Sequence, residues 1–299
     1  MGSSADDSPT DARASRSTAQ DDSSRHRPAI WPVLVAYLVA LVLVVGATTV
    51  VIFGVALARA GGRVAHLQAE ATRFAFSAPG VMTAAVVSAT VLALDALVTA
   101  RLLGRDVAAR LRLGPTRATP AGVLAAVAGM AGLSLAAGAA ADRLGVRHEG
   151  TMEDIARALA HASPAGVVLA VLTIAVAPGI AEELFFRGLL QTRLVARLGR
   201  WGGIVAASLA FGLMHMDPVQ SPLAFALGLF LGWVVERFGG IRPSIAAHAV
   251  NNAIFVAAAS FGSRAGGGGS HETDILSIAA GAVVWLGATL LLRSRLAVR

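Results

Sequence analysis

Seven ionisable side chains and two asparagines sit within or beside long apolar stretches of this sequence: Asp95, Glu182, Glu183, Arg187, His215, Glu236, His248, Asn251 and Asn252. An ionisable group at bilayer depth costs about 2.5–3.5 kcal/mol on an insertion scale, so each needs a reason to be there. Asp95 and Glu236 lie near the ends of their stretches, with Arg101 and Arg237 close by. Interface placement or an ion pair accounts for both. Glu182 and Glu183 are different, because they follow twenty uncharged residues, Ala162 to Ala181. On a helix Glu183 and Arg187 are i and i+4, neighbours on one face. That pairing neutralises Glu183 and helps to bury it. Glu182 points about 100° away and has no obvious partner. A carboxylate so placed is suited to take and return a proton. A structural Glu–Arg clasp explains only one of the two glutamates.

His215 closes an apolar run four residues after Phe211, and His248 and Asn252 are again i and i+4. Singly, each has an ordinary reading as an interfacial histidine or an interhelical hydrogen bond. Together they place Glu, His, His and Asn on three separate stretches that could converge on one polar cavity. Water activation inside a membrane needs such a set: a base, a second group to hold the water, and donors for an oxyanion. Glu182, His215 and His248 could instead supply three zinc ligands with water as the fourth. Metal-free chemistry is the favoured reading, since Glu182 cannot easily be both ligand and base. At 1.5 Å per residue, Glu182 lies about 24 Å from Leu198 and His215 about 20 Å from Gly202. His248 comes out shallower, about 8 Å from Pro243, which calls for a tilt or a longer helix.

The elements that must hold these residues are membrane helices. The 299 residues are 56 % hydrophobic and 14 % charged, with mean hydropathy +0.68, against about 45–50 % and 25 % in soluble domains. Eight apolar segments are expected: 29–58, 74–94, 118–141, 162–181, 201–214, 218–235, 243–262 and 275–292. The expected fold is an all-α polytopic bundle over residues 29–299, preceded by a disordered cytoplasmic tail over 1–28. All 25 basic residues are Arg, and with eight segments 18 of them fall on one side. The positive-inside rule then puts both termini in the cytoplasm, in a multi-pass plasma-membrane protein. Arg147 to His161 reads as a short amphipathic connector on the outer side, and Gly266–Ser270 as a flexible loop. The arginines are scattered between apolar runs and form no continuous patch, which excludes nucleic acid as a partner. The absence of Cys excludes disulfides, thiolate metal sites and a cysteine nucleophile.

Glu182-Glu183-x-x-x-Arg187, then Phe211-x-x-x-His215, then His248-x-x-x-Asn252, each within an expected segment, resembles the CPBP family. That family comprises the type II CAAX prenyl endopeptidases and the bacterial bacteriocin-processing and Abi proteins. The resemblance covers roughly residues 160–260. It implies an intramembrane glutamate protease or metalloprotease acting on a peptide or membrane-protein substrate near the cytoplasmic side. It also implies roles: Glu182 as general base, His215 sharing the water, His248 and Asn252 stabilising the oxyanion, Glu183 and Arg187 supporting the site. HExxH, GxGD and GxSG signatures are missing, so proteolysis would rest on the Glu/His set, with one divalent metal such as zinc as the open alternative. Two other functions fit the same residues: a proton- or cation-coupled transporter, and a non-catalytic membrane scaffold.

Overall fold

The computed structural model describes residues 28–146, 150–261 and 271–298. The tail through residue 27, Arg147, Glu149 and the Gly266–Ser270 run lie outside the described residues. Among the described residues ten helices follow one another: α1 Trp31–Arg59, α2 Val64–Ala75, α3 Ala78–Leu102, α4 Val107–Arg110, α5 Pro120–Arg143, α6 Thr151–Leu159, α7 Pro164–Met214, α8 Gln220–Phe238, α9 Arg242–Phe261 and α10 His271–Arg293. A single isolated bridge, Ala118 with Val298, is the only β pairing among the described residues.

Three of the helices start the same way. Ser77, Thr119 and Ser163 each accept a hydrogen bond from the backbone N–H three residues on, at Gly80, Gly122 and Gly166. Proline follows in the first turn, where its missing N–H costs nothing and its fixed φ suits the helix.

Among the described residues, seven helices are long and apolar enough to cross a membrane. The eight expected segments map onto them because the fourth and fifth are both parts of α7. Helix α7 reverses at Gly199, whose φ and ψ of 77° and 170° are not helical. Phe186 and Phe211 are 25 positions apart, about 37 Å on a straight helix, yet their ring centroids lie 5.1 Å apart. The two limbs therefore run antiparallel and in contact. A Cβ at Gly203 would sit 2.4 Å from the Val195 backbone nitrogen, so only glycine permits this hairpin.

Small residues let other helices approach as closely, as expected where van der Waals packing drives association. A Cβ on Gly281 of α10 would lie 2.5 Å from the carbonyl oxygen of Gly132 on α5. Large apolar side chains on α1, α3 and α10, among them Val42, Leu97 and Leu290, point outward. Exposed apolar side chains are what lipid-facing helices present. The amphipathic connector is a helix, α6, whose Leu159 is fully buried among Met82, Ala170 and Val256.

Candidate active site

The site is built where the first limb of α7, its returning limb and α9 meet. Glu183 is completely buried, and Arg187 is 1 % exposed. Arg187 Nη1 lies 3.0 Å from Glu183 Oε1, the expected i, i+4 pair. The stretch Glu183–Gln191 is wound as a π-helix, a form that occurs often at functional sites. Arg187 also donates to the Gly228 carbonyl on α8 at 3.4 Å and stacks over the Phe211 ring at 4.3 Å. A buried guanidinium needs such partners, because a lone buried charge costs several kcal/mol.

His248 enters from α9 and lies between the two glutamates. Its Nδ1 is 3.1 Å from Glu183 Oε1, and its Nε2 is 3.6 Å from Glu182 Oε2. The first is a hydrogen bond and the second is too long to be one. Glu182 is thus not isolated, as its sequence position implied. Its side chain is 20 % exposed, whereas that of Glu183 is sealed. One carboxylate orients the imidazole and the other is open to an incoming molecule.

The depth mismatch expected for His248 does not arise. Helix α9 starts inside the protein: Ile241, Pro243 and Ser244 are buried. The loop from α3 to α5 lies beneath that start, with the Ile241 N–H donating to the Arg112 carbonyl. A Cβ at Gly240 would lie 2.8 Å from the Thr116 methyl. Counting His248 from the membrane surface at Pro243 therefore underestimated its depth.

Residues 164–254 match a family model described as type II CAAX prenyl endopeptidase, Rce1-like. This part of the chain is similar to the Rce1-like family. The matched segment contains Glu182, Glu183, Arg187, His215, His248 and Asn252. Comparison with curated proteins and with solved structures found no match.

Within the Rce1-like segment Phe211 is the hub that the spacing alone did not single out. Its ring lies edge-on to Phe186, His215 and His248, at 5.1, 5.0 and 5.8 Å between centroids, and under Arg187. Phe211 thereby connects His215 to the Glu183–Arg187–His248 cluster. His215 Nδ1 is 2.9 Å from the Phe211 carbonyl, a bond that uses Nδ1–H and leaves the Nε2 lone pair free. Tyr37 of α1 closes the far side, its hydroxyl donating to the Ala210 carbonyl at 3.1 Å.

Asn252 lies one turn beyond His248 on α9, half-buried, and makes no side-chain hydrogen bond among the described residues. Asn251 is half-buried as well. Just past His215, Met216 takes a φ of 50° and turns the chain so that Asp217 faces α6. Asp217 accepts from Thr151 N and Oγ1 at 2.7 and 3.0 Å, and from Val219 and Gln220 N–H at 2.9 and 2.7 Å. Burial pushes its carboxyl up, but these donors outweigh burial and hold it below the ordinary carboxylate range. The His215 loop is thereby pinned to the amphipathic helix.

The two peripheral acids have partners other than those expected. Glu236 pairs with Arg112 and accepts from Gln191 Nε2 at 3.0 Å. Arg237 instead donates to the Leu292 and Ser294 carbonyls. Asp95 accepts from Thr99 at 2.9 Å, not from Arg101. Arg187 and Gln191, four apart on α7, both bond to α8: Arg187 to the Gly228 carbonyl, Gln191 to the Gly232 carbonyl and to Glu236.

Among the described residues no three His, Asp or Glu side chains are disposed to hold one metal ion. The proposed set Glu182, His215 and His248 is not brought together as such a group, although the bonds to Glu183 and to the Phe211 carbonyl engage only Nδ1 of each histidine. As placed, these side chains do not fit a zinc site, and no step below runs through a metal.

Proposed function

We propose that this chain is an intramembrane endopeptidase in which Glu182 activates the hydrolytic water. The supporting observation is the His248 imidazole, held by Glu183 on one side and facing Glu182 on the other. The reaction begins with the Glu182 carboxylate facing His248 Nε2, while Glu183 holds His248 Nδ1. His215 Nε2 accepts a hydrogen bond from the water and orients it. Glu182 takes a proton from the water as the oxygen bonds to the scissile carbonyl carbon. Negative charge then develops on the carbonyl oxygen, just as Glu182 loses its own.

His248 Nε2–H turns from a neutral Glu182 to that oxyanion, and the Asn252 amide donates beside it. Both bonds are stronger in the transition state than before it, which is what accelerates a reaction. Glu182 returns its proton to the leaving amine as the C–N bond breaks, and both products leave with valences satisfied. Glu183 stays ionised throughout because Arg187 sits beside it. It orients the imidazole and takes no proton.

The reading places cleavage toward the Arg-rich, cytoplasmic side of the plasma membrane, with peptides or membrane proteins as substrates. It is tested by comparing new peptide termini in membranes of cells carrying the wild type or Glu182→Gln. Termini present only with the wild type support it; identical sets of termini refute it.

A further inference from the structure

Five arginines among the described residues are buried or half-buried: Arg110, Arg112, Arg187, Arg193 and Arg237. Three have partners. Arg112 pairs with Glu236, Arg187 with Glu183, and Arg237 donates to two carbonyls. Arg110 and Arg193 form no ion pair or side-chain hydrogen bond among the described residues, and Arg193 lies within electrostatic reach of Arg110. The Arg110 Nε is buried without a hydrogen-bond partner. Two like charges partly removed from water and left without a counter-charge are unfavourable unless an anion joins them.

The pair is built, not incidental. Arg110 ends α4, and its guanidinium folds over Gly104, where a Cβ would lie 2.2 Å from Nη2. Gly104 has a φ of 155°, a backbone conformation that favours glycine there. The neighbouring Leu111 is fully buried in the same apolar cluster as Leu190 and Leu194. A Cβ at Gly188 would lie 2.9 Å from the Leu111 carbonyl. Arg112 then fastens to Glu236. The α4 loop is thus fixed against the first limb of α7, which presents Arg193 beside it. The nearest acid in sequence, Asp106, is committed to capping α4 through the Ala109 N–H at 2.9 Å.

We propose that Arg110 and Arg193 bind the phosphate of an anionic phospholipid headgroup at the Arg-rich end of the bundle. Two guanidinium forks match phosphate oxygens in geometry and charge. The lipid source follows from the surroundings. Leu102 and Leu198 stand 81 % and 50 % exposed at the ends of the flanking helical segments, where acyl chains begin. Exposed Arg101, Arg105 and Arg197 add positive charge nearby. Basic pockets between membrane helices are a recurring mode of headgroup binding.

The test uses the full-length chain in neutral detergent, with thermal unfolding followed as phosphatidylglycerol, phosphatidylcholine or inorganic phosphate is added. Phosphatidylglycerol should stabilise the wild type at lower concentration than phosphatidylcholine. Arg110→Gln/Arg193→Gln should weaken that apparent affinity about 30-fold, from the usual contribution of two surface cations. Arg200→Gln, an exposed arginine stacked near Trp201, should leave it unchanged. Equal affinity in the double variant overturns the proposal. Equal stabilisation by inorganic phosphate overturns the lipid source and assigns the pair to a soluble anion. If the glutamine pair does not fold, Arg110→Lys/Arg193→Lys decides: weaker binding without the forks supports the site, and wild-type binding overturns it.

Discussion

Replacing Glu183 by Gln removes one negative charge from a place where no water can take over. Glu183 is 0 % exposed, and its Oε1 serves both Arg187 Nη1 at 3.0 Å and His248 Nδ1 at 3.1 Å. Breaking a buried ion pair by removing one partner costs about 3–5 kcal/mol. Two contacts of Arg187 survive the change: the long bond to Gly228 O and the Phe211 ring face. A desolvated cation–π contact contributes about 2 kcal/mol, so the loss should fall near the lower figure, about 3 kcal/mol. That is more than a hundredfold in the folded population. The assay is denaturant or thermal unfolding in detergent, for the wild type, Glu183→Gln, Arg187→Met and the double variant. The double variant should recover much of the loss, because no buried charge is left unpaired. A Glu183→Gln protein as stable as the wild type would refute the reasoning. So would a double variant whose loss equals the sum of the single losses.

Three further outcomes follow from the site. The Asp217 carboxyl is held below its ordinary value, so its contribution to stability is complete above pH about 4 and disappears as pH falls through the folded value. Unfolding temperature should drop more steeply on acidification below pH 4 for the wild type than for Asp217→Asn, and parallel curves would contradict this. Asn252→Ala should lower kcat by about 10²–10³ and leave KM nearly unchanged, as for loss of one oxyanion donor; a raised KM with normal kcat would place Asn252 in substrate binding. Purified protein should keep its peptidase activity in a strong chelator, and loss of activity restored by zinc would return His215 and His248 to the role of ligands.

The helical segments were legible because a membrane helix leaves a long apolar run, and the Glu183–Arg187 pair because i, i+4 spacing leaves little choice on a helix. The α7 hairpin was half legible. Two segments were expected, but the signal for the turn is one glycine, Gly199, in a sequence with 32. What sequence reasoning missed depends on contacts between elements distant in the chain. The Glu236–Arg112 pair spans 124 positions and the Tyr37–Ala210 bond 173, and no local spacing encodes either. The depth of His248 was misjudged because polar-looking Arg242-Pro243 reads as a surface boundary, whereas Pro243 is buried and the α4 loop lies beneath it. Phe211 was read as part of a motif. Its contact with Arg187 and both histidines shows why an aromatic ring occupies that place.

The central claim is that the Glu182 carboxylate, open beside His248, is the base that makes water attack a peptide bond. The direct measurement is single-turnover cleavage of a membrane peptide in ¹⁸O-water, by purified wild type and by Glu182→Gln shown to unfold at the same temperature. The account predicts one ¹⁸O in the new carboxyl terminus from the wild type and no cleavage from folded Glu182→Gln. Cleavage by Glu182→Gln at the wild-type rate would contradict it.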